Sequence, residues 1–323
     1  MATPTSRRGP SPAGGAAETA APGGATAPGQ RSFLSPLRRI PDPMFAWLLI
    51  IPAMVILLGF SVVPMITTVW TSLQEPGIEA SIGPANYERM VSDGVFLQSL
   101  RNNLVFSMLT VPISLAIAML MAVLVNREIR ARGFLRMAFF TPAMLPVIAA
   151  AAIWLAFYQP NFGLINVIAE SVGLQGQNWL GNPSTVLPAL MVVMIWKEAG
   201  FFMLFYLAGL QTISPELNEA STLEGTGRWT HFRRVTFPLL MPTTLFTSIV
   251  GVANSFKQVD FIFVMTQGGP NNASNLLLYN IYLQAFPNRN PEFAAAMTVV
   301  LVTILVVLAV IQIRMFDRRI HYR

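Results

Sequence analysis

The sequence has no cysteine, two histidines (His231 and His321), and two lysines, Lys197 and Lys257, among its 21 basic residues. Lack of cysteine excludes disulfides, thiolate metal sites and cysteine nucleophiles together. With two histidines a multi-histidine metal site is untenable as well, so no metal is expected. Only 11% of residues are charged, against roughly 25% in a soluble domain. A phosphate-binding loop needs Gly-x-x-x-x-Gly-Lys and then Ser or Thr, but the two lysines follow Trp196 and Phe256. The chain therefore has no nucleotide pocket of that kind. It also lacks a Gly-x-Ser-x-Gly turn and a His-Glu-x-x-His pair, so no catalytic residue is assigned and no cofactor is expected.

What is present is apolar: 54% of the 323 residues are hydrophobic, in runs too long for soluble cores. Residues 1–40 are rich in Ala, Gly, Pro, Ser and Thr and read as a disordered tail, because they bury too little surface to offset chain entropy. The first apolar run is full length and lies far from the start, unlike a cleaved signal peptide. Residues 41–323 read as one membrane domain. Hydropathy places six spans at Phe45–Trp70, Leu104–Val125, Met137–Tyr158, Val186–Leu210, Leu240–Val264 and Phe293–Ile313, each near the roughly 20 residues that cross a bilayer. Pro52, Pro64, Pro142 and Pro146 fall inside spans, where kinks are tolerated. The runs do not alternate, which rules out barrel strands.

The arginines fix an expected orientation. Arg7, Arg8, Arg31, Arg38, Arg39, Arg127, Arg130, Arg132, Arg136, Arg228, Arg233, Arg234, Arg314, Arg318, Arg319 and Arg323 fall on one side of the proposed spans, and only Arg89, Arg101 and Arg289 on the other. Both termini are therefore expected in the cytoplasm, and the +6 charge reflects topology rather than nucleic-acid binding. Three segments, roughly 73–101, 159–185 and 266–291, then face outward. Residues 163–173 have the spacing of a short interfacial helix.

The longest expected inner loop, residues 211–238, has internal order. Ser214, Pro215 and Glu216 look like a helix start. Gly225 and Gly227 interrupt the pattern as a helix end requiring positive φ would. A second helix, residues 228–235, should stop before Pro238. The loop thus reads as a helix-turn-helix elbow. Arg228, Arg233 and Arg234 also suit an amphipathic helix lying on anionic lipid.

Within this loop Glu219, Ala220 and Ser221 are followed at fixed spacings by Gly225, Val235, Phe237 and Pro238. This spacing resembles the EAA signature of the permease subunits of binding-protein-dependent ABC importers. Glu224, Trp229, Phe232, Pro242 and the run Met265-Thr266-Gln267-Gly268-Gly269-Pro270 resemble the carbohydrate-uptake branch. Ser221 stands for an Ala of the motif, Glu224 for Asp, Thr226 for Ala and Phe237 for Leu. The resemblance extends from Phe45 to the C-terminus and implies an all-α integral membrane protein of six transmembrane helices with a cytoplasmic EAA coupling elbow between helices 4 and 5. It implies a bacterial inner-membrane location, a second homologous permease, a dimer of ATPase subunits that binds the ATP, and an extracytoplasmic solute-binding protein. It further implies an oligosaccharide, polyol or glycerol-phosphate type of solute, and it makes Glu219, Ala220, Ser221, Glu224, Gly225, Phe232 and Pro238 the coupling residues.

Charged groups inside spans cost about 2.5–3.5 kcal/mol each at a helix centre, so they count first as functional candidates. Lys197 and Glu198 lie midway along the fourth span, and Lys257 and Asp260 near the end of the fifth. Thr244, Thr247, Ser248, Gly251, Asn254, Ser255 and Gln258 form one helical stripe, and Asn103, Ser107, Thr110 and Ser114 another. Lys197, Glu198, Asn254, Lys257, Gln258 and Asp260 are thus candidates for a solute path. The same groups can instead pair between helices, Lys257 with Asp260 at helical spacing among them, and the hydroxyls also serve close packing. A rival class is an autonomous secondary transporter or channel using the intramembrane charges as a relay. It would leave the ordered elbow without a role.

Overall fold

The computed structural model describes residues 42–75, 81–127, 130–214, 216–217 and 225–317. The expected tail, residues 1–40, lies outside that range. Among the described residues the secondary structure is helical, and the sole strand-like pairing is an isolated bridge between Gln74 and Ile82. The chain divides into two compact units between residues 60 and 61. The first contains α1 (Asp42–Leu57), with Pro52 inside it. The second opens with α2 (Val63–Ser72). Pro64 has no N–H to return to the preceding turn, and the ladder widens there into a π-turn at Leu58–Val62.

In the second unit α3 (Ala85–Ser92) precedes α4 (Gly94–Asn126). The α4 helix begins well before the expected Leu104, because the Asp93 carboxylate accepts the Phe96 N–H at 2.8 Å and caps it. The polar residues of its first turns lower the hydropathy there without breaking the helix. The third span is bent: α5 (Arg132–Met144) and α6 (Val147–Phe157) meet at 100°. Pro146 lacks the N–H that the Pro142 carbonyl would need for the helix to continue. Beyond it lie α7 (Leu164–Ser171), at the expected interfacial helix, and α8 (Val186–Gln211).

The second half of the loop differs from expectation. Its helix, α9 (Arg228–Leu239), continues through Pro238, and a π-turn at Phe232–Thr236 lies directly before that proline. A widened turn relieves the contact between the proline ring and the carbonyl of the previous turn. After a 65° bend comes α10 (Met241–Phe256). The expected fifth span, Leu240–Val264, therefore ends early: the chain breaks at residues 257–259 and restarts as α11 (Asp260–Met265). Hydropathy read through the break because Phe261 and Ile262 are apolar, yet both side chains are buried in the protein's core. The fold closes with α12 (Leu277–Ala285) and α13 (Pro291–Asp317).

Among the described residues four helices are long and apolar enough to cross a bilayer, or up to six spans if each bent pair counts as one. Around α4 and α8 the described residues form three apolar clusters. Val111, Leu115, Ala118, Phe202, Met203 and Tyr206 make one. Phe106, Trp154, Leu190, Ile262 and Tyr279 belong to the second, and Phe256, Leu277, Phe293 and Met297 to the third. Small residues set the helix distances. A side chain at Gly200 would collide with the Phe139 carbonyl oxygen, so α8 and α5 touch backbone to backbone there.

Candidate functional site

Lys197 and Glu198 are neighbours on α8, but they face different partners. The Lys197 ammonium donates to the carbonyl oxygens of Leu145 (2.7 Å), Ala143 (3.3 Å) and Pro142 (3.5 Å). These carbonyls belong to the break between α5 and α6, where helical donors are missing. Glu198 instead accepts a hydrogen bond from the Asn254 amide of α10 at 3.2 Å. Gln258 donates to the Asn254 carbonyl at 3.1 Å. Glu198, Asn254 and Gln258 thus form a half-buried polar band between α8 and α10.

Lys257 and Asp260 are exposed and stand on opposite sides of the break between α10 and α11. The helical spacing that would pair them does not exist. The hydroxyl stripes meet each other: Ser255 donates to Ser107 at 2.8 Å, and the Asn103 amide to the Ser255 carbonyl at 3.4 Å. Tyr206 donates to Thr244 at 3.2 Å. Thr247, Ser248, Ser255, Ser107, Thr110 and Ser114 are buried, so this part of the stripes fastens α10 to α4 and α8.

Of the expected coupling residues, Glu219, Ala220, Ser221 and Glu224 lie outside the described residues. Gly225 adopts φ +67°, a left-handed conformation suited to glycine, whereas Gly227 has an ordinary negative φ and caps α9. Ser214 turns its hydroxyl to the Glu216 carboxylate at 3.4 Å. Phe232 stacks on the exposed Trp229, with ring centroids 5.8 Å apart, and packs its other side toward Phe237. Pro238 is exposed. Beside α9 a cavity of about 740 Å³ is lined by Arg127, Leu210, Ile213, Arg228, Trp229 and Phe232, among others.

At the other end of α4, polar residues that hydropathy passed over clasp the turn after α11. Gln98 donates to the Asn271 carbonyl at 3.1 Å, and Asn102 to the carbonyls of Asn272 (2.8 Å) and Asn275 (3.1 Å). Asn103 accepts the Leu277 N–H at 3.1 Å, and Asn280 donates to Ser99 at 3.2 Å. Asn166 of α7 does similar work in the preceding segment. It donates to the carbonyls of Pro160 (2.8 Å) and Gln177 (3.0 Å) and accepts the Trp179 indole N–H at 2.7 Å. The only sequence signal for these clasps was the density of Asn and Gln beside the spans.

Bent apolar spans, polar contacts between helices and the helix α9 leading through a bend into α10 define a multi-pass membrane protein of the transporter type. Residues 114–322 match the family described as binding-protein-dependent transport system inner membrane component, and the chain belongs to that family. It is 31% identical over 288 residues to the sn-glycerol-3-phosphate transport system permease protein UgpA of Agrobacterium fabrum, a match covering 87% of this chain and 98% of that one. To the trehalose/maltose transport system permease protein MalF of Thermococcus litoralis it is 31% identical over 248 residues, 75% of this chain and 84% of that one. A probable ABC transporter permease protein of Pyrococcus horikoshii is 30% identical over 271 residues, 82% of this chain and 93% of that protein. The fold is also that of a chain in a bacterial ABC transporter involved in the import of the acidic polysaccharide alginate, with a TM-score of 0.76 at 21% identity, covering 88% of this chain and 99% of that one. The chain is thus an ABC importer permease subunit.

Proposed function

We propose that this permease carries a sugar or sugar-like solute inward, handed over by an extracytoplasmic binding protein and driven by ATP hydrolysis in separate ATPase subunits. The observation that carries the reading is the elbow before α10, whose Gly225-to-Pro238 spacing is that of a coupling segment in a chain without a phosphate-binding loop. A partner that hydrolyses ATP seats this elbow, and the bend between α9 and α10 passes its motion to the span. Glu219, Ala220, Ser221, Glu224, Gly225, Phe232 and Pro238 form the contact. A second, similar permease completes the path, and its side in this chain is the polar band of Glu198, Asn254 and Gln258, with Lys197, Lys257 and Asp260 near it. The arginine distribution puts both termini and the elbow in the cytoplasm. The names of the relatives support carbohydrate or glycerol-phosphate solutes.

Copurification tests the reading. The wild-type chain should bring down an ATPase subunit and a second permease, and Gly225→Pro should lose the ATPase while keeping the permease. Solute accumulation by the purified chain alone, without ATP, would favour a secondary transporter and end the proposal.

A further inference from the structure

Lys197 occupies the most costly kind of position in the chain, a charge midway along a membrane helix, and its surroundings account for it. An ammonium has three protons to donate. Three carbonyl oxygens face it, those of Leu145, Ala143 and Pro142. None has its α-helical donor, for a reason visible in the sequence, although the Pro142 carbonyl also accepts the Leu145 N–H at 3.3 Å. The α-helical donor for the Pro142 carbonyl would be residue 146, which is proline and has no N–H. Those for Ala143 and Leu145 would be residues 147 and 149, which belong to α6 and leave at 100°. In an apolar setting an unpaired carbonyl costs several kcal/mol. A cation at a helix C-terminus also faces the negative end of the helix dipole.

The α8 backbone is brought to this place by Gly200, three residues further along, which lies against Phe139 of α5 with no room for a side chain. Lys197 is part-buried, and the cavity beside it is small. That cavity, of about 10 Å³, is bounded by Val147, Val193, Met194, Gln258 and Phe261, and such a volume holds about one water at most. Glu198, the adjacent charge, turns away to Asn254.

We propose that Lys197 is a positioning residue for transport: it clamps the corner between α5 and α6 by capping carbonyls that lack their α-helical donors, and it does not touch the solute. The transport part rests on the importer reading above; the clamp itself does not. A fixed corner lets α5 and α6 move as one bent body with α8 when the elbow is driven, whereas an uncapped break acts as a second hinge that absorbs the motion. Arginine keeps the charge and the donors, glutamine keeps two donors without charge, and methionine keeps only the stem.

The test uses the complete transporter in proteoliposomes, with Lys197→Arg, Lys197→Gln and Lys197→Met. Maximal solute-stimulated ATP hydrolysis and uptake should fall about fivefold to tenfold in the Met variant, with half-saturation by the solute-loaded receptor unchanged within about twofold and Arg restoring most of the rate. A raised half-saturation at unchanged maximal rate would make Lys197 a solute contact and overturn the proposal. Because the chain has no cysteine, spin labels at cysteines replacing Phe134 on α5 and Ile153 on α6 report the corner in the full chain in nanodiscs. Their distance distribution should broaden or shift in K197M and match the wild type in K197R; an unchanged distribution in K197M would also overturn it. If the Met variant does not assemble, K197Q carries the same comparison at smaller amplitude. Should the wild-type transporter show no ATP-driven uptake, the importer reading fails, while the spin-label distances still decide the clamp.

Discussion

Gly200 illustrates how single positions set this structure. A Cβ there would overlap the carbonyl oxygen of Phe139 and crowd the next backbone atoms of α5. Backbone cannot swing aside as a flexible side chain does. Gly200→Ala should therefore destabilise the protein by about 1–3 kcal/mol, the usual cost of overpacking a fitted contact. The measurement is the thermal midpoint of the detergent-purified transporter, with Gly133→Ala as control, since a Cβ at Gly133 meets nothing within 4 Å. A midpoint for Gly200→Ala equal to the control's would mean that α5 and α8 slide apart freely, and it would weaken the clamp drawn at Lys197. The charge on Lys197 was legible in the sequence, as were the prolines at 142 and 146. Their partnership was not, because it joins residues more than fifty positions apart on different helices, and a hydropathy window holds only one helix at a time.

At the scale of elements, hydropathy found six apolar regions but not how two of them break. A window averages over residues, so the proline corner at 145–146 and the gap at 257–259 vanished into their apolar flanks. Of the expected elbow, the left-handed Gly225 and the helix after Gly227 were legible from glycine chemistry, yet that helix outlasts the expected stop because a π-turn makes room for Pro238. The start of α4 was missed for the opposite reason. Its first turns carry Gln98, Asn102 and Asn103, polar by composition but spent on the backbone of residues 271–277. These bonds tie the turn after α11 to the first turns of α4. Asn102 supplies two of them, each worth about 1 kcal/mol net, so Asn102→Ala should speed amide exchange in residues 271–277 about thirtyfold. Exchange mass spectrometry reads this directly. Unchanged protection there would mean that the segment holds itself together and that α4 only lies beside it.

For the whole molecule, the arginines and the elbow must agree on which side is inside. Arg127 follows the last residue of α4, Arg132 and Arg136 lie in α5, and Arg228, Arg233 and Arg234 lie along α9. Arg314 sits in the last turn of α13. Basic residues beside span ends are retained in the cytoplasm during insertion. Under the proposed function the elbow lies on that side too, because ATP is cytoplasmic. Two unrelated constraints thus demand one orientation, and a fusion experiment examines both. Alkaline phosphatase joined after Gly173, beyond α7, should be active, whereas the same enzyme joined after Arg323 should be inactive and a fluorescent protein there should fold. Replacing Arg132 and Arg136 with Glu should raise phosphatase activity from a fusion placed after Asn126, since short loops near span ends carry most of the orienting charge. If the C-terminal phosphatase is active and the Gly173 fusion silent, α9 faces away from any ATPase. No coupling through that elbow would then be possible, however well its residues match the family.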